Sequence, residues 1–242
     1  MPWQTEIRCV LFDLGGTLFR HLPRESTEQN LRGIVEAATA TPLSAQQLQR
    51  YHQIRQETEA SFVARPFFLH QALVKASFQR FAHEVSLPVA LQRPLAEAFY
   101  TAQRETVTHS LQLRDDTAAV LAQLQQRKRQ TAIVSNIDDD YLHPLLQRVS
   151  VLDGVAFVLS SEAARSCKPD PSIYHQALRL CAEPPERVLF VGDSLTNDVF
   201  GPAQVGMRTC WMAADQQRDH PDAAKADLLI QSLSELPAAL GC

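Results

Sequence analysis

The hydrophobic rhythm of this 242-residue chain changes twice. Residues 7 to 12 form a short β-prone apolar run that halts at Asp13-Leu-Gly-Gly-Thr17, which reads as a buried strand feeding a tight loop. From residue 21 to 112 the chain is rich in Gln, Ala, Arg and Glu and holds one glycine, Gly33. Apolar residues recur there at helical spacing, as at Phe67, Leu69, Ala72, Leu73, Ala76 and Phe78. Pro23, Pro42, Pro66, Pro88 and Pro94 stand near expected helix starts, so about four helices and no strand are expected. From Asp115 helix and strand alternate. A helix carrying Val120, Leu121 and Leu124 precedes a strand over 131–134, and one through Leu142, Leu145 and Leu146 precedes a strand over 155–159. A helix over 173–180 precedes a strand over 187–191, a helix over 199–203 precedes one over 209–212, and a last short strand covers 228–230. Such alternation implies a parallel sheet covered by helices on both faces.

The expected fold is therefore α/β. Residues 1–20 and 113–242 make a Rossmann-like parallel-sheet core of three layers (α/β/α), and residues 21–112 make an inserted, all-helical cap. The insertion departs just after the first strand's loop, which sets it above the carboxyl ends of the strands, where open α/β sheets bind ligands. A cap at that place can exclude water and select substrates.

Composition narrows the function. Hydrophobic residues make up 45% and charged residues 21%, as in ordinary globular proteins. A net charge of -4 offers no basic field for nucleic acid or an anionic membrane. Arg127, Lys128 and Arg129 close a helical pattern and read as helix-end charges that suit the macrodipole. The five cysteines, Cys9, Cys167, Cys181, Cys210 and Cys242, are odd in number and lack paired spacing, which argues against a disulfide framework or a zinc site. The amino-terminal MPWQTEIRC has no charged lead with a following apolar run, so no signal peptide is expected. No apolar stretch reaches the roughly 18 residues that span a bilayer. The expectation is a reduced, cytoplasmic protein, either a monomer or a homodimer.

Four chemical signals stand at the carboxyl ends of four expected strands: Asp13; Ser135-Asn136; Lys168 in Cys-Lys-Pro-Asp-Pro; and Gly192-Asp-Ser-Leu-Thr-Asn-Asp198. Any one of them could be a turn or capping residue. Independent turns, however, need not place Asp, Ser, Lys and Asp after strands of one sheet. A carboxylate can attack phosphorus or carbon and form a covalent intermediate. Several carboxylates beside a phosphate dianion need a hard divalent cation and a lysine to offset their charge. Asp13 and Asp193 supply oxygen ligands of the kind Mg2+ prefers. Thr17, Ser135 and backbone N–H groups can bind phosphoryl oxygens.

These segments resemble the four motifs of the haloacid dehalogenase superfamily, in the subgroup with a helical cap between the first and second motifs. The stretch from Ser161-Glu-Ala-Ala to Lys168-Pro-Asp-Pro, then Val191-Gly-Asp-Ser to Asn197-Asp-Val-Phe-Gly201, continuing to Val205-Gly-Met207, carries the resemblance most specifically. The resemblance implies a Mg2+-dependent phosphatase acting on a small phosphorylated metabolite through an aspartyl-phosphate. It makes Asp13 the nucleophile and a metal ligand, with the Gly15 carbonyl, Asp193 and Asp198 completing the metal site. It also implies that Ser135 and Lys168 hold and neutralise the phosphoryl group, with Gly16, Thr17 and Asn136 beside them.

One position departs from the pattern. Phosphatases of this superfamily carry an acid–base Asp two residues after the nucleophile, and here that residue is Gly15. General acid–base catalysis contributes roughly 10²–10⁴-fold. Its loss implies a substitute group, a substrate with a good leaving group, or a slow or inactive binding protein. His21, Glu25 and Asp138 lie near the expected mouth as candidate substitutes. A phosphonatase-like C–P hydrolase would use a cap lysine, and Lys75 is the only one in the cap. Retention of Gly192-Asp193 argues against the metal-independent dehalogenases. Asp-Leu-Gly-Gly-Thr also matches the phosphate loop of actin-like sugar kinases, but residues 18–32 show no second hairpin strand.

Overall fold

The computed structural model describes residues 3–214 and 220–241; Cys242 and the first two residues of the amino-terminal reading lie outside them. Packing divides the chain into two compact units. One runs up to His21, through Gln112–Asn136 and onward from Leu146; the other joins Leu22–Leu111 to the short segment Ile137–Leu145.

The second unit is helical. Its long helices are α1 (Arg24–Thr39), α2 (Ala45–Phe62), α3 (His70–Glu84) and α4 (Val89–Ser110). They bury one apolar cluster that includes Leu31, Val35, Ile54, Phe78 and Phe99. Tyr51 meets Phe81 and Phe99 edge-on, at 5.6 and 5.5 Å between ring centres, an arrangement favoured by the ring quadrupoles. Helix α2 starts on a capping box in which Ser44 and Gln47 satisfy each other's backbone N–H groups. Helix α3 has Leu69 at its cap and no local side chain for its first donors. The Asp138 carboxylate supplies the acceptors instead, taking the N–H groups of His70 at 2.8 Å and Gln71 at 2.7 Å.

The other unit is built on β1 (Cys9–Phe12), β2 (Gln130–Ser135), β3 (Val158–Ser160), β4 (Val188–Gly192), β5 (Arg208–Met212) and β6 (Leu228–Ile230). They form one six-stranded sheet in the order β3-β2-β1-β4-β5-β6, with every pair parallel. All four residues of β1 are buried, as expected of a strand covered on both faces. Between the strands run α5 (Thr117–Gln126), α6 (Asp139–Arg148), whose first seven residues belong to the helical unit, α7 (Ser161–Ala164), α8 (Pro171–Cys181) and α9 (Gly201–Gln204). Leu11 lies opposite Ala132 and Phe190, and that face packs on Ile173, Tyr174, Ala177 and Cys181 of α8. Among the described residues no cysteine forms a disulfide; the Cys9 and Cys181 thiols share a hydrogen bond of 3.1 Å. The chain builds outward from β1 to β3 on one side and from β4 to β6 on the other. The switch point therefore lies at the carboxyl end of β1, where a ligand crevice forms.

Three local readings of the sequence change. The third strand begins at Val158 rather than at 155, because Ser150–Gly154 winds into a 3-10 turn. The helix expected over 199–203 is a π-helical turn, Leu195–Phe200, followed by α9. Pro202 lacks an N–H and cannot bond back to the Asp198 carbonyl, so a regular ladder does not run from the π turn into α9. Arg129 is no exposed helix-end charge. It is buried and donates to the carbonyls of Gln4, Ile7 and Leu240, tying both ends of the core together.

Candidate active site

The four strand-end segments meet at the carboxyl edge of the sheet. Parallel pairing puts Asp13, one residue past β1, level with the ends of β2 and β4, and its N–H donates to the Val191 carbonyl. Asp13 Oδ1 accepts from Ser135 Oγ at 3.0 Å and from Lys168 Nζ at 2.7 Å. The same ammonium donates to Asp198 Oδ1 at 2.7 Å and lies 5.1 Å from the centre of the Phe190 ring. Lys168 is 5% exposed, Asp13 is nearly as deep and Asp198 is deeper still. Burial alone would lower the Lys168 pKa, but the two carboxylates outweigh it and hold the ammonium above its ordinary value. Burial pushes Asp198 up to about 7; the Asp13 charge adds to the rise and Lys168 opposes it.

The supporting contacts explain the local sequence. Asn136 Nδ2 donates to the Lys168 carbonyl at 2.9 Å, and the Lys168 N–H donates to Asn136 Oδ1 at 2.7 Å. The Asn136 amide is thus engaged with the lysine's own backbone and fixes the loop that aims Lys168. Gly192 is required because a Cβ there would lie 2.2 Å from Asp198 Cγ. Thr17 Oγ1 is buried and has no hydrogen-bond partner among the described residues. Gly16, at φ +83°, takes a conformation suited to glycine, and its carbonyl accepts from Arg114 Nη2 at 2.9 Å. Arg114 was invisible to sequence reasoning, since no motif marks it.

Asp13, Asp193 and Asp198 each offer a carboxylate oxygen, and these oxygens lie within 4.8 Å of one another. An all-oxygen, anionic donor set of this kind fits a hard divalent cation. Trp211 Nε1 donates to the Asp193 carbonyl at 2.9 Å, and the Asp193 carboxylate pairs with His21 Nε2 at 3.0 Å. That hydrogen bond to Asp193 raises the His21 pKa. A cavity of about 500 Å³ opens beside them, lined among others by Gly16, His21, Arg114, Asp193 and Gln231.

The other candidates belong to the helical unit. Glu25 lies in the first turn of α1. Asp138 accepts from two backbone N–H groups at the start of α3, one on each oxygen, which gives it a helix-capping role. Lys75 is paired with Glu97 at 2.6 Å and lies over the Tyr100 ring, so its ammonium is engaged within the helical unit. A Cβ placed on Gly15 meets nothing within 4 Å, so the space an acid–base side chain would fill is open.

Comparison with known proteins agrees with this arrangement. Residues 7–206 match the family model described as haloacid dehalogenase-like hydrolase. The haloacid dehalogenase-like hydrolase domain-containing protein 3 of Danio rerio is 38% identical over 109 residues, which cover 45% of this chain and 44% of that protein. The chain thus spans less than half of that relative. The N-acylneuraminate-9-phosphatase of Homo sapiens is 22% identical over 240 residues, covering 98% of this chain and 94% of that one. Among solved structures, the HAD-hydrolase YfnB from Bacillus subtilis shares the fold with a TM-score of 0.75 at 22% identity, covering 98% of this chain and 99% of that one. Among the described residues no helix is long and apolar enough to cross a membrane. With the motifs gathered at one sheet edge and the family model matched across them, the chain belongs to the haloacid dehalogenase-like hydrolases.

Proposed function

We propose that this chain is a Mg2+-dependent phosphatase of small phosphorylated metabolites, working in the cytoplasm. The observation that carries the reading is one buried ammonium, Lys168, 2.7 Å from both Asp13 and Asp198, with Ser135 on the same Asp13 oxygen. In this reading Asp13 attacks phosphorus. A bond from the carboxylate oxygen to phosphorus forms, the bond to the leaving group breaks, and the leaving oxygen takes up a proton. Water then attacks the same phosphorus, the bond to Asp13 breaks, and inorganic phosphate departs. Lys168, Ser135, Thr17 and the Gly16 backbone bind and neutralise the phosphoryl oxygens. A Mg2+ ion held by Asp13, Asp193, Asp198 and the Gly15 carbonyl would supply the charge that lets a carboxylate approach a phosphate. The likeness to a phosphatase across nearly the whole chain supports this choice over other hydrolase chemistries.

Gly15 shapes the substrate preference. It offers no proton to the leaving group, so leaving groups of low pKa are favoured. Acetyl phosphate and p-nitrophenyl phosphate should turn over faster than alkyl phosphates, and equal rates would contradict the missing-acid reading. Gly15→Asp should raise turnover of alkyl esters by about 10²-fold or more. The open space at that position lets the fold accept it. Gly15 also favours a second reading, a metabolite-binding protein with little or no turnover. Phosphate release from a panel of phosphorylated metabolites, with and without Mg2+ and with Asp13→Asn as blank, separates the two. Metal-dependent release that the blank lacks supports the phosphatase. Specific binding without any release supports the second reading.

A further inference from the structure

The chain leaves the core through a short ladder. Arg20 N–H donates to the Gln112 carbonyl and Arg114 N–H to the Leu18 carbonyl, both at 2.9 Å, and Phe19 pairs with Leu113. Two side chains from this ladder reach the carboxylate site. Arg114 holds the Gly16 carbonyl, and His21 Nε2 lies 3.0 Å from Asp193 Oδ2. The packing there is close: a Cβ on Gly16 would be 2.2 Å from Asp193 Oδ2 and 2.5 Å from His21 Nε2. Asp13 and Asp198 are each fixed by Lys168 and by a second donor, Ser135 Oγ or Ser194 N. Asp193 lacks that support. Its carboxylate is only partly buried, and His21 is the one described side chain bonded to it.

We infer that His21 is a positioning residue for the metal site: its Nε2–H tautomer donates to Asp193 Oδ2 and turns the carboxylate toward Asp13 and Asp198. The inference rests on the reading of these three aspartates as a divalent-metal site. Groups that orient a metal ligand from behind typically change metal affinity 10–100-fold when removed. His21 does not touch the phosphoryl group in this assignment, so its loss acts on the metal and not on the chemical step.

The test is Mn2+ titration of the purified protein, followed by the electron paramagnetic resonance signal of free Mn2+, alongside Mg2+-dependent phosphate release. Wild-type protein binds one ion, and Asp193→Asn abolishes that binding. His21→Ala weakens Mn2+ binding about 10-fold or more, while kcat at saturating metal and the thermal midpoint of the metal-free protein stay within twofold. His21→Asn, which keeps a donor, recovers part of the affinity. Arg20→Ala cuts the exposed pair with Asp115 on the same ladder and leaves metal affinity unchanged. Unchanged or tighter binding in His21→Ala overturns the inference while leaving the metal site standing; tighter binding would mean that His21 competes for Asp193. No binding in the wild type overturns both.

Discussion

Asp198 and Asp138 are the same residue type at the same depth, 1% and 0% exposed, in the core and the helical unit respectively. Their surroundings push them in opposite directions. Burial and the nearby Asp13 charge raise Asp198 to about 7 despite Lys168. Burial also acts upward on Asp138, but the His70 ring 3.6 Å away and the hydrogen bonds from the His70 and Gln71 backbone N–H groups outweigh it and lower its pKa. The difference separates two uses of a buried carboxylate. Asp138 completes a helix start, and every contact favours its charge. Asp198 is pressed against a second acid around one lysine, an arrangement that costs stability.

Replacing the shared lysine tests that contrast most severely. Lys168→Met leaves two buried carboxylates without their ammonium, and the metal-free protein should lose about 3–5 kcal/mol in urea unfolding at neutral pH. Unchanged stability would show that the acids are relieved in some other way, and the contrast with Asp138 would fail. Asp138→Ala removes the acceptors at the start of α3 and should cost about 1–2 kcal/mol. The sign of its pH dependence follows from the lowered pKa. The stabilisation is present above the unfolded value of about 3.9 and is lost as pH falls through the folded value. The gap between wild type and Asp138→Ala should therefore narrow below about pH 4. A gap that widens there would mean Asp138 is held protonated. The smallest effect belongs to the surface ion pairs of Arg50 with Glu57 within α2 and with Glu84 of α3. Arg50→Ala should leave the urea midpoint unresolved from wild type, because solvent and side-chain entropy offset such pairs. A clear loss would mean that surface charge in this unit does more than the comparison allows.

Much of the core was legible in the sequence for one physical reason. A parallel sheet covered on both faces turns each strand into an apolar run. Asp13, Ser135 and Asp193 could be placed at or just past strand ends without knowing the strand order, whereas Lys168 follows the end of β3 by eight residues, beyond α7. The helical segment was legible as helices, since its apolar period is helical, and two of its cap features, Ser44 and Gln47, are local. The breaks at Val158 and Leu195–Phe200 were not legible, because apolar spacing over one or two turns does not distinguish a 3-10 or π turn from an α-helix.

By itself the sequence determined the α/β class, the helical character of the segment after the first strand, the placing of Asp13, Ser135 and Asp193 at strand ends and the presence of glycine at position 15. Only the tertiary structure decided that Asn136 serves the Lys168 backbone, that Arg129 is a buried clamp, that Asp138 caps a helix 68 residues away, and that His21 meets Asp193 across 172 residues of chain. Periodicity and turn chemistry are local and can be read along the chain. The partner of a polar side chain is fixed by whichever distant donor or acceptor the packed sheet brings within about 3 Å, and no local pattern records it.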